Sequence, residues 1–113
     1  MTALHEQKCE ACQIGATCIS DDEQARLLPE LPGWQVIDVD GIKQLQKVFR
    51  FRDFVEALAF TQQVGELAER FDHHPALLTE WGKVTVSWWT HKIQGLHKTD
   101  FILAAKTDQL QPL

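Results

Sequence analysis

Long apolar runs and blocks of basic residues are both missing from this chain of 113 residues. A membrane-spanning helix needs about 20 consecutive apolar residues, and no run approaches that length. The net charge is −5, with 11 basic against 16 acidic residues, so we do not expect direct nucleic-acid binding, which depends on a basic surface. The first residues lack a basic segment followed by an apolar one, so we expect no signal peptide and a cytoplasmic location.

Cysteine is also scarce, and all three cysteines lie within the first eighteen residues. Thiols so few and so close together do not provide a disulfide framework. The pair Cys9 and Cys12, with Cys18 nearby, supplies ligand types that bind zinc. Its spacing matches no standard zinc finger, however, and no βαβ pattern follows that is typical of a redox motif. We therefore expect residues 1–19 to form a flexible leader with reduced thiols.

Residues 20–113 are expected to form one domain, because the chain is 44% hydrophobic and has six Phe and four Trp to fill a core. Turn-forming pairs, Pro32-Gly33 and Asp40-Gly41, separate apolar segments. The predicted elements are, in order, a helix over 20–28, strands over 34–38 and 42–51, a helix over 54–71, strands over 77–81 and 83–90, and a helix over 99–108.

Two kinds of periodicity support this assignment. In the longest predicted helix, Phe60, Val64 and Leu67 recur at helical spacing and form one apolar stripe. In the fourth strand, Val84 and Val86 alternate with residues of the opposite face. The order α-β-β-α-β-β-α contains two hairpins, each preceded by a helix. It predicts an α+β fold in which helices pack on one face of a four-stranded antiparallel sheet.

The last predicted helix begins at Thr99, whose hydroxyl is expected to cap it. Asp100 lies in its first turn, where the helix dipole favours a carboxylate. His97, just before the helix, is expected at the surface. The residues expected to pack inward are Phe101, Ile102, Ala104 and Ala105.

Four of the five histidines lie in the segment 69–100. His73 and His74 occupy the junction between the longest helix and the third strand, where Pro75 favours extended geometry at the residue before it. His91 follows the fourth strand, and we expect its ring to reach the same pocket as the histidine pair. Such rings can transfer protons near neutral pH, since an unperturbed histidine titrates at about 6.5.

Spacing alone leaves three interpretations of these histidines open. In the first interpretation, they form an acid–base pocket, in which Asp72 or Asp100 orients a ring and Trp81 and Trp89 supply an aromatic wall. Alternatively, the three imidazoles bind a metal ion. In the third interpretation they are structural, with His74 bonding a carbonyl at the helix end while the tryptophans fill the core.

The same segment contains a longer pattern, which runs from an acidic residue through His-His-Pro and an aromatic residue to a histidine and an aspartate. Its positions are Glu69, His73, His74, Pro75, Trp81, His91 and Asp100. In order and spacing it resembles the signature of the pterin-4a-carbinolamine dehydratases, and the similarity extends over roughly residues 20–110. Two departures from many animal members are Ala76-Leu77, where those proteins have Glu-Trp, and Trp81, where they have tyrosine.

The resemblance implies dehydration of a 4a-hydroxytetrahydropterin to the quinonoid dihydropterin, which recycles the pterin cofactor of phenylalanine hydroxylase. It implies that His73 and His91 are the acid–base catalysts and that His74 positions the substrate. It also implies that the pterin is the substrate and that neither a metal nor a redox cofactor takes part. The residues implied to bind or orient the substrate are Glu69, Asp72, Pro75, Thr90, Trp81 and Asp100.

The resemblance also implies a second class of function. Animal members of the family act as dimerisation cofactors of a homeodomain transcription factor, so a non-catalytic binding role, with such a partner or with phenylalanine hydroxylase, is the alternative. The surface that the sequence offers for it is the apolar last helix. An open four-stranded sheet exposes its edge strands, and we therefore expect a homo-oligomer, either a dimer or a tetramer.

Overall fold

The computed structural model describes residues 18–110, and its elements follow the predicted α-β-β-α-β-β-α order. In chain order they are α1 (Asp21–Leu27), a short 3-10 helix (Leu28–Glu30), β1 (Gln35–Val39), β2 (Ile42–Arg50), α2 (Phe54–Phe71), β3 (Ala76–Glu80), β4 (Lys83–Trp88), a second 3-10 helix (His91–Ile93) and α3 (Lys98–Asp108). The cysteine pair of the predicted leader lies outside the described residues. Among the described helices, none is long and apolar enough to cross a membrane.

The four strands form one antiparallel sheet with the order β1-β2-β4-β3. The hairpin between β1 and β2 turns at Asp40 and Gly41, whose φ angles of 53° and 84° are both positive, as a tight two-residue hairpin requires. β2 and β4 lie in the centre of the sheet, with Leu45 opposite Trp88 and Phe49 opposite Val84. β1 and β3 are therefore the edge strands.

The core lies between the helices and one face of the sheet, which confirms the predicted α+β layers. Leu45 and Val86 contribute from the two central strands, and Phe60 and Val64 contribute from the apolar stripe of α2. Most of α3 is buried as well, from Thr99 through Ala105. Alternation along the strands directs the remaining side chains to the opposite face of the sheet.

A capping side chain begins the longest helix, and a left-handed residue ends it. The Asp53 carboxylate accepts a hydrogen bond from the Glu56 amide at 2.9 Å, which begins α2. At the other end, Asp72 adopts the left-handed conformation with φ of 50°, a geometry that ends helices and that aspartate tolerates better than most residues. The predicted helix break before the histidine pair is confirmed, and its cause is this turn at Asp72.

Lys47 interrupts the apolar face of β2, and the structure shows how it is accommodated. Its ammonium lies 2.9 Å from a carboxylate oxygen of Asp108 and 4.8 Å from the ring centroid of Phe49. The indole N–H of Trp34 donates to the same carboxylate at 3.1 Å. The charged end of the lysine is thus paired at the rim of the core, while its aliphatic stem covers apolar surface.

Several predicted boundaries differ from the structure by one or two residues, and two of these differences have a clear structural cause. β4 ends at Trp88 rather than near Thr90, because Thr90 leaves the ladder and exchanges backbone hydrogen bonds with Gly95. α3 begins at Lys98, and its N-cap is His97 rather than Thr99. The histidine side chain accepts the hydrogen bond of a helix amide, so it is not simply a surface residue.

A buried hydrogen bond joins the central strand to α3 and is open to test. The indole N–H of Trp88 donates to the Thr107 hydroxyl at 3.0 Å. The substitution Thr107→Val keeps the shape of the side chain but leaves this N–H unpaired, so we expect a loss of about 1–3 kcal/mol in the free energy of unfolding. Urea denaturation monitored by tryptophan fluorescence measures this loss.

Thr85→Val serves as the control, since Thr85 lies on the same strand but is half-buried on the opposite face. Its effect should stay within about 0.5 kcal/mol. Equal stability of the two variants would show that the Trp88 hydrogen bond adds nothing to the fold.

Candidate active site

A carboxylate with no solvent exposure, that of Asp100, lies where three chain segments meet. One oxygen is 2.8 Å from Nε2 of His73. The other accepts hydrogen bonds from the Thr90 hydroxyl at 2.7 Å and from the His97 amide at 2.9 Å. Because an ionised carboxylate only accepts hydrogen bonds, it assigns the Nε2 proton to His73. Such a set of donors is what a buried charge of this kind requires.

His73 is held on three sides. Its backbone amide donates to the Ala68 carbonyl at 3.1 Å, which fixes the chain as it leaves α2. Its ring faces that of Trp88 with 6.0 Å between the centroids and 28° between the planes, and only 5% of the residue is exposed. Asp100 holds the third side through Nε2. The ring therefore has one defined orientation, with Nδ1 as its second nitrogen.

The adjacent histidine takes a different course. His74 places its Nε2 at 2.5 Å from the carboxylate of Glu69, and its side chain is 51% exposed. Glu69 lies in the last turn of α2, so the pair spans the helix end. The two neighbouring rings thus do not enter one enclosed pocket side by side, since His73 is buried and His74 is exposed on the segment that follows the left-handed turn at Asp72.

His91 reaches the same junction from the other side, as the sequence predicts. It is the first residue of the 3-10 helix that follows β4. Its Nε2 lies 3.0 Å from the backbone carbonyl of His74, and since a carbonyl only accepts, this nitrogen carries the proton. The Trp89 ring stacks on the imidazole at 4.4 Å between centroids. Trp89 therefore supplies the predicted aromatic contact.

Among the other residues of the motif, Asp72 and Pro75 flank the histidine pair directly. Trp81 does not join them within the chain. It lies in the turn after β3 and is 73% exposed, whereas the histidines lie at the opposite end of that strand. Five residues of β3 correspond to roughly 17 Å at about 3.3 Å per residue. Within one chain, Trp89 thus lies beside His91 and Trp81 does not, while an aromatic wall for a ligand stays a prediction.

His97 is the residue of this network that the sequence interpretation missed. It precedes Asp100 by three positions, which is the spacing of a capping box. A serine or threonine at position 97 would have been recognised as such a signal, whereas histidine is not among the usual capping residues. The spacing to Asp100 was thus the available indication of its role.

The metal interpretation finds no ligand set in the part of the chain that the structure describes. Across residues 18–110, no group of three or more His, Cys, Asp or Glu side chains has the arrangement of a metal site. The three histidines direct Nε2 to three different oxygen atoms, those of Asp100, Glu69 and the His74 backbone. Each of the three rings is thus oriented by its own oxygen atom, and the Nδ1 atom of each ring is left for another contact.

Comparison with known proteins places the chain in a family. The family model described as pterin 4 alpha carbinolamine dehydratase matches residues 17–110. The chain belongs to this family. This dehydratase family is the one that the sequence pattern resembles, so the predicted relationship is confirmed.

Two solved structures of dehydratase-like proteins are similar. A crystal structure from Brucella melitensis, described as a transcriptional coactivator/pterin dehydratase, is 32% identical, with a TM-score of 0.74, over 82% of this chain and 97% of that chain. A pterin dehydratase-like protein, identified as a RuBisCO assembly factor in the alpha-carboxysome, is 22% identical, with a TM-score of 0.59, over 69% of this chain and 88% of that chain. The second likeness shows a shared fold.

The buried carboxylate yields a prediction about stability. Asp100→Ala leaves three donors without their acceptor, and each unpaired buried donor costs about 1–3 kcal/mol. We therefore expect a loss of at least about 2 kcal/mol in the free energy of unfolding, measured by urea denaturation. Asp100→Asn should lose less, because the amide oxygen still accepts on one side while its NH₂ group opposes the donors on the other.

Glu69→Ala is the matched control, since it removes the carboxylate partner of the neighbouring histidine at an exposed position. Exposed pairs contribute little to stability, so this variant should unfold close to the wild type. If Asp100→Ala were as stable as Glu69→Ala, the buried network would not contribute to the fold.

Proposed function

We propose that this protein dehydrates pterin-4a-carbinolamines, converting a 4a-hydroxytetrahydropterin to the quinonoid dihydropterin and water. The observation that carries the proposal is that His73 and His91, from two different elements, both lie at the junction before β3, where each Nε2 is held by an oxygen acceptor. Membership of the dehydratase family supports the choice of substrate.

The reaction needs one proton delivered and one removed. The C4a–O bond breaks as the hydroxyl accepts a proton and leaves as water, while N5 loses its proton and forms a double bond to C4a. No electron is gained or lost overall, so a redox cofactor is not required. Each general acid–base step typically contributes about 10²–10⁴-fold to the rate.

The two histidines suit these steps because their Nε2 atoms are already engaged. This leaves Nδ1 of each ring for the substrate. In our proposal, one ring donates a proton from Nδ1 to the departing hydroxyl, and the other, neutral at Nδ1, accepts the proton of N5. Fixed orientation matters because proton transfer demands hydrogen-bond geometry between the ring nitrogen and the reacting atom.

The surrounding residues have supporting roles in this proposal. His74, braced by Glu69, positions the pterin from the exposed side of the junction. Thr90 and Asp100 hold His73 from the interior. The remaining candidates for contact with the pterin ring are Asp72, Pro75 and Trp89. Trp81 is not included in the pocket of a single chain because of its position beyond β3.

Two substitutions test the catalytic assignment. His73→Ala and His91→Ala should each lower the rate of carbinolamine dehydration at least about tenfold, because each removes a general acid or base. A stopped assay of carbinolamine breakdown against the uncatalysed rate measures this effect, with circular dichroism to verify folding. Gln62→Ala, at an exposed position on α2, should keep wild-type activity. Full activity in both histidine variants would contradict the proposal.

We further propose that the reaction serves phenylalanine hydroxylase in the cytoplasm, since the quinonoid product is what a reductase needs to regenerate the hydroxylase cofactor. In an assay in which phenylalanine hydroxylase alone accumulates the carbinolamine, adding this protein should then sustain hydroxylation. Loss of this effect in the His73→Ala variant separates a catalytic contribution from a binding one.

A binding role is the second candidate, and the exposed apolar surface favours it at a different place from the one predicted. The last helix cannot offer that surface, because its apolar residues are buried in the core. Instead, Phe54, Val55 and Leu58 are exposed at the start of α2. Both similar proteins are described with non-catalytic roles, one as a transcriptional coactivator and one as a RuBisCO assembly factor. A binding function would survive His73→Ala and His91→Ala, whereas dehydration would not.

We also propose that the protein forms a homo-oligomer through the β3 edge. This edge strand has backbone groups free for pairing on its outer side, and Leu78 on it is 58% exposed. A strand that pairs antiparallel with its own copy makes a symmetric contact, which closes as a dimer. Two such dimers would form a tetramer.

A charge on this edge should prevent the assembly. Leu78→Lys is expected to reduce the molecular mass in sedimentation equilibrium towards that of the monomer, because a lysine on an edge strand disfavours pairing. Gln62→Lys, which adds the same charge to an exposed position of α2, should leave the mass unchanged. An unchanged mass for Leu78→Lys would place the interface elsewhere.

A further inference from the structure

His97 occupies an unusual position for a histidine, the N-cap of α3. Its Nδ1 accepts the amide hydrogen bond of Thr99 at 3.0 Å and lies 3.1 Å from the hydroxyl of the same residue. In return, its own amide donates to Asp100 at 2.9 Å. The other two helices begin with the usual residue types, since Ser20 caps α1 and Asp53 caps α2.

The carboxylate that closes this cap is the one that holds His73. The oxygen of Asp100 that accepts from the His97 amide also accepts from Thr90, and the other oxygen contacts His73. The conformation of the first turn of α3 therefore determines where the partner of the proposed catalytic ring lies. A change in the cap shifts Asp100, and with it the orientation of His73.

We propose that His97 is a positioning residue for this site, acting through Asp100 on His73, and that it does so only while its imidazole is neutral. The inference rests on the dehydration proposed above. His97 makes no contact with His73 among the described hydrogen bonds, and its contribution is to fix the helix start from which Asp100 projects.

The charge state of His97 matters because Nδ1 accepts a hydrogen bond only without a proton. Once protonated, Nδ1 becomes a donor that can bond only the Thr99 hydroxyl, so the Thr99 N–H loses its capping acceptor. The added positive charge also lies at the positive end of the helix dipole, where it is disfavoured. A serine or asparagine at this position would cap the helix without any such dependence on pH.

The titratable and charged groups around the cap come from three segments, and a fourth segment contributes a neutral hydroxyl. Asp100 and Lys98 lie on α3 itself, and His73 approaches from the junction after α2 through the shared carboxylate. Near the end of β4, the contact is the neutral hydroxyl of Thr90. The N-terminal segment brings Cys18 beside the chain that leads into the cap, where its thiol approaches the Ile93 carbonyl. Of these groups, Asp100 is the one joined to His97 directly.

The experiment compares a variant that loses the cap with two that keep it. His97→Ala should lower kcat at least about fivefold near pH 8 with little change in KM, because a misplaced catalytic group loses rate rather than affinity. His97→Ser and His97→Asn should restore kcat, since both residues accept from the helix amides. Equal losses in all three variants would overturn the proposal.

The pH dependence of kcat distinguishes this mechanism from a purely structural role of His97, which would not change that dependence. Histidines gain a proton as the pH falls from about 8 to about 5.5. Over this range, the kcat of the wild type should fall by a larger factor than the kcat of His97→Asn. Identical profiles for the two proteins would contradict the neutral-cap mechanism. This comparison uses the wild type and a capping variant, so it stands even if His97→Ala fails to fold.

A nuclear magnetic resonance measurement separates failure of this inference from failure of the proposed function. The imidazole Nε2–H signal of His73 reports its bond to Asp100 directly, with no substrate present. We expect the signal to persist in the wild type, His97→Ser and His97→Asn, and to broaden or shift in His97→Ala. If neither the wild type nor any variant dehydrated the carbinolamine, this signal would still test whether the cap at His97 holds Asp100 against His73. If the signal and kcat were both unchanged in His97→Ala, the inference would be wrong while the function stood.

Discussion

The hydrogen bonds to the carboxylate of Asp100 connect the parts of this protein that matter for its chemistry. A charge in the interior is tolerated only when donors surround it, and here the donors come from the junction after α2, from the end of β4 and from the start of α3. The residues His73 and Asp100 are 27 positions apart. Their pairing holds α3 against the sheet and at the same time orients a ring at the candidate site, so fold and chemistry depend on one side chain.

The regular elements could be predicted from the sequence because their signals are local. The stripe of Phe60 and Val64 on α2 and the alternation of Val84 and Val86 on β4 each determine which face is buried. The boundaries were less predictable where tertiary contacts decide them. Thr90 leaves the strand because its backbone pairs with Gly95, and no periodicity in the sequence reveals that pairing.

The site was predictable in composition but not in arrangement. The motif indicated the histidines, and the two elements that bring His73 and His91 to one junction follow from the element order. His73 and His74 diverge on the segment that follows one left-handed residue, Asp72, whose conformation the sequence does not specify. The capping role of His97 depends on a side chain outside the usual set, and the distance of Trp81 from the site depends on the length and direction of β3.

The left-handed turn at Asp72 has a further consequence for how the site responds to its medium. Two consecutive histidines, each paired with a carboxylate, come to lie in different dielectric surroundings. Mobile ions screen exposed charges over about 8 Å at physiological ionic strength but reach buried pairs much less. The exposed pair of His74 and Glu69 is therefore the one that added salt screens. The buried pair of His73 and Asp100 is screened much less. The chain that follows this single turn thus carries two histidine–carboxylate pairs, one open to the ionic medium and one shielded from it.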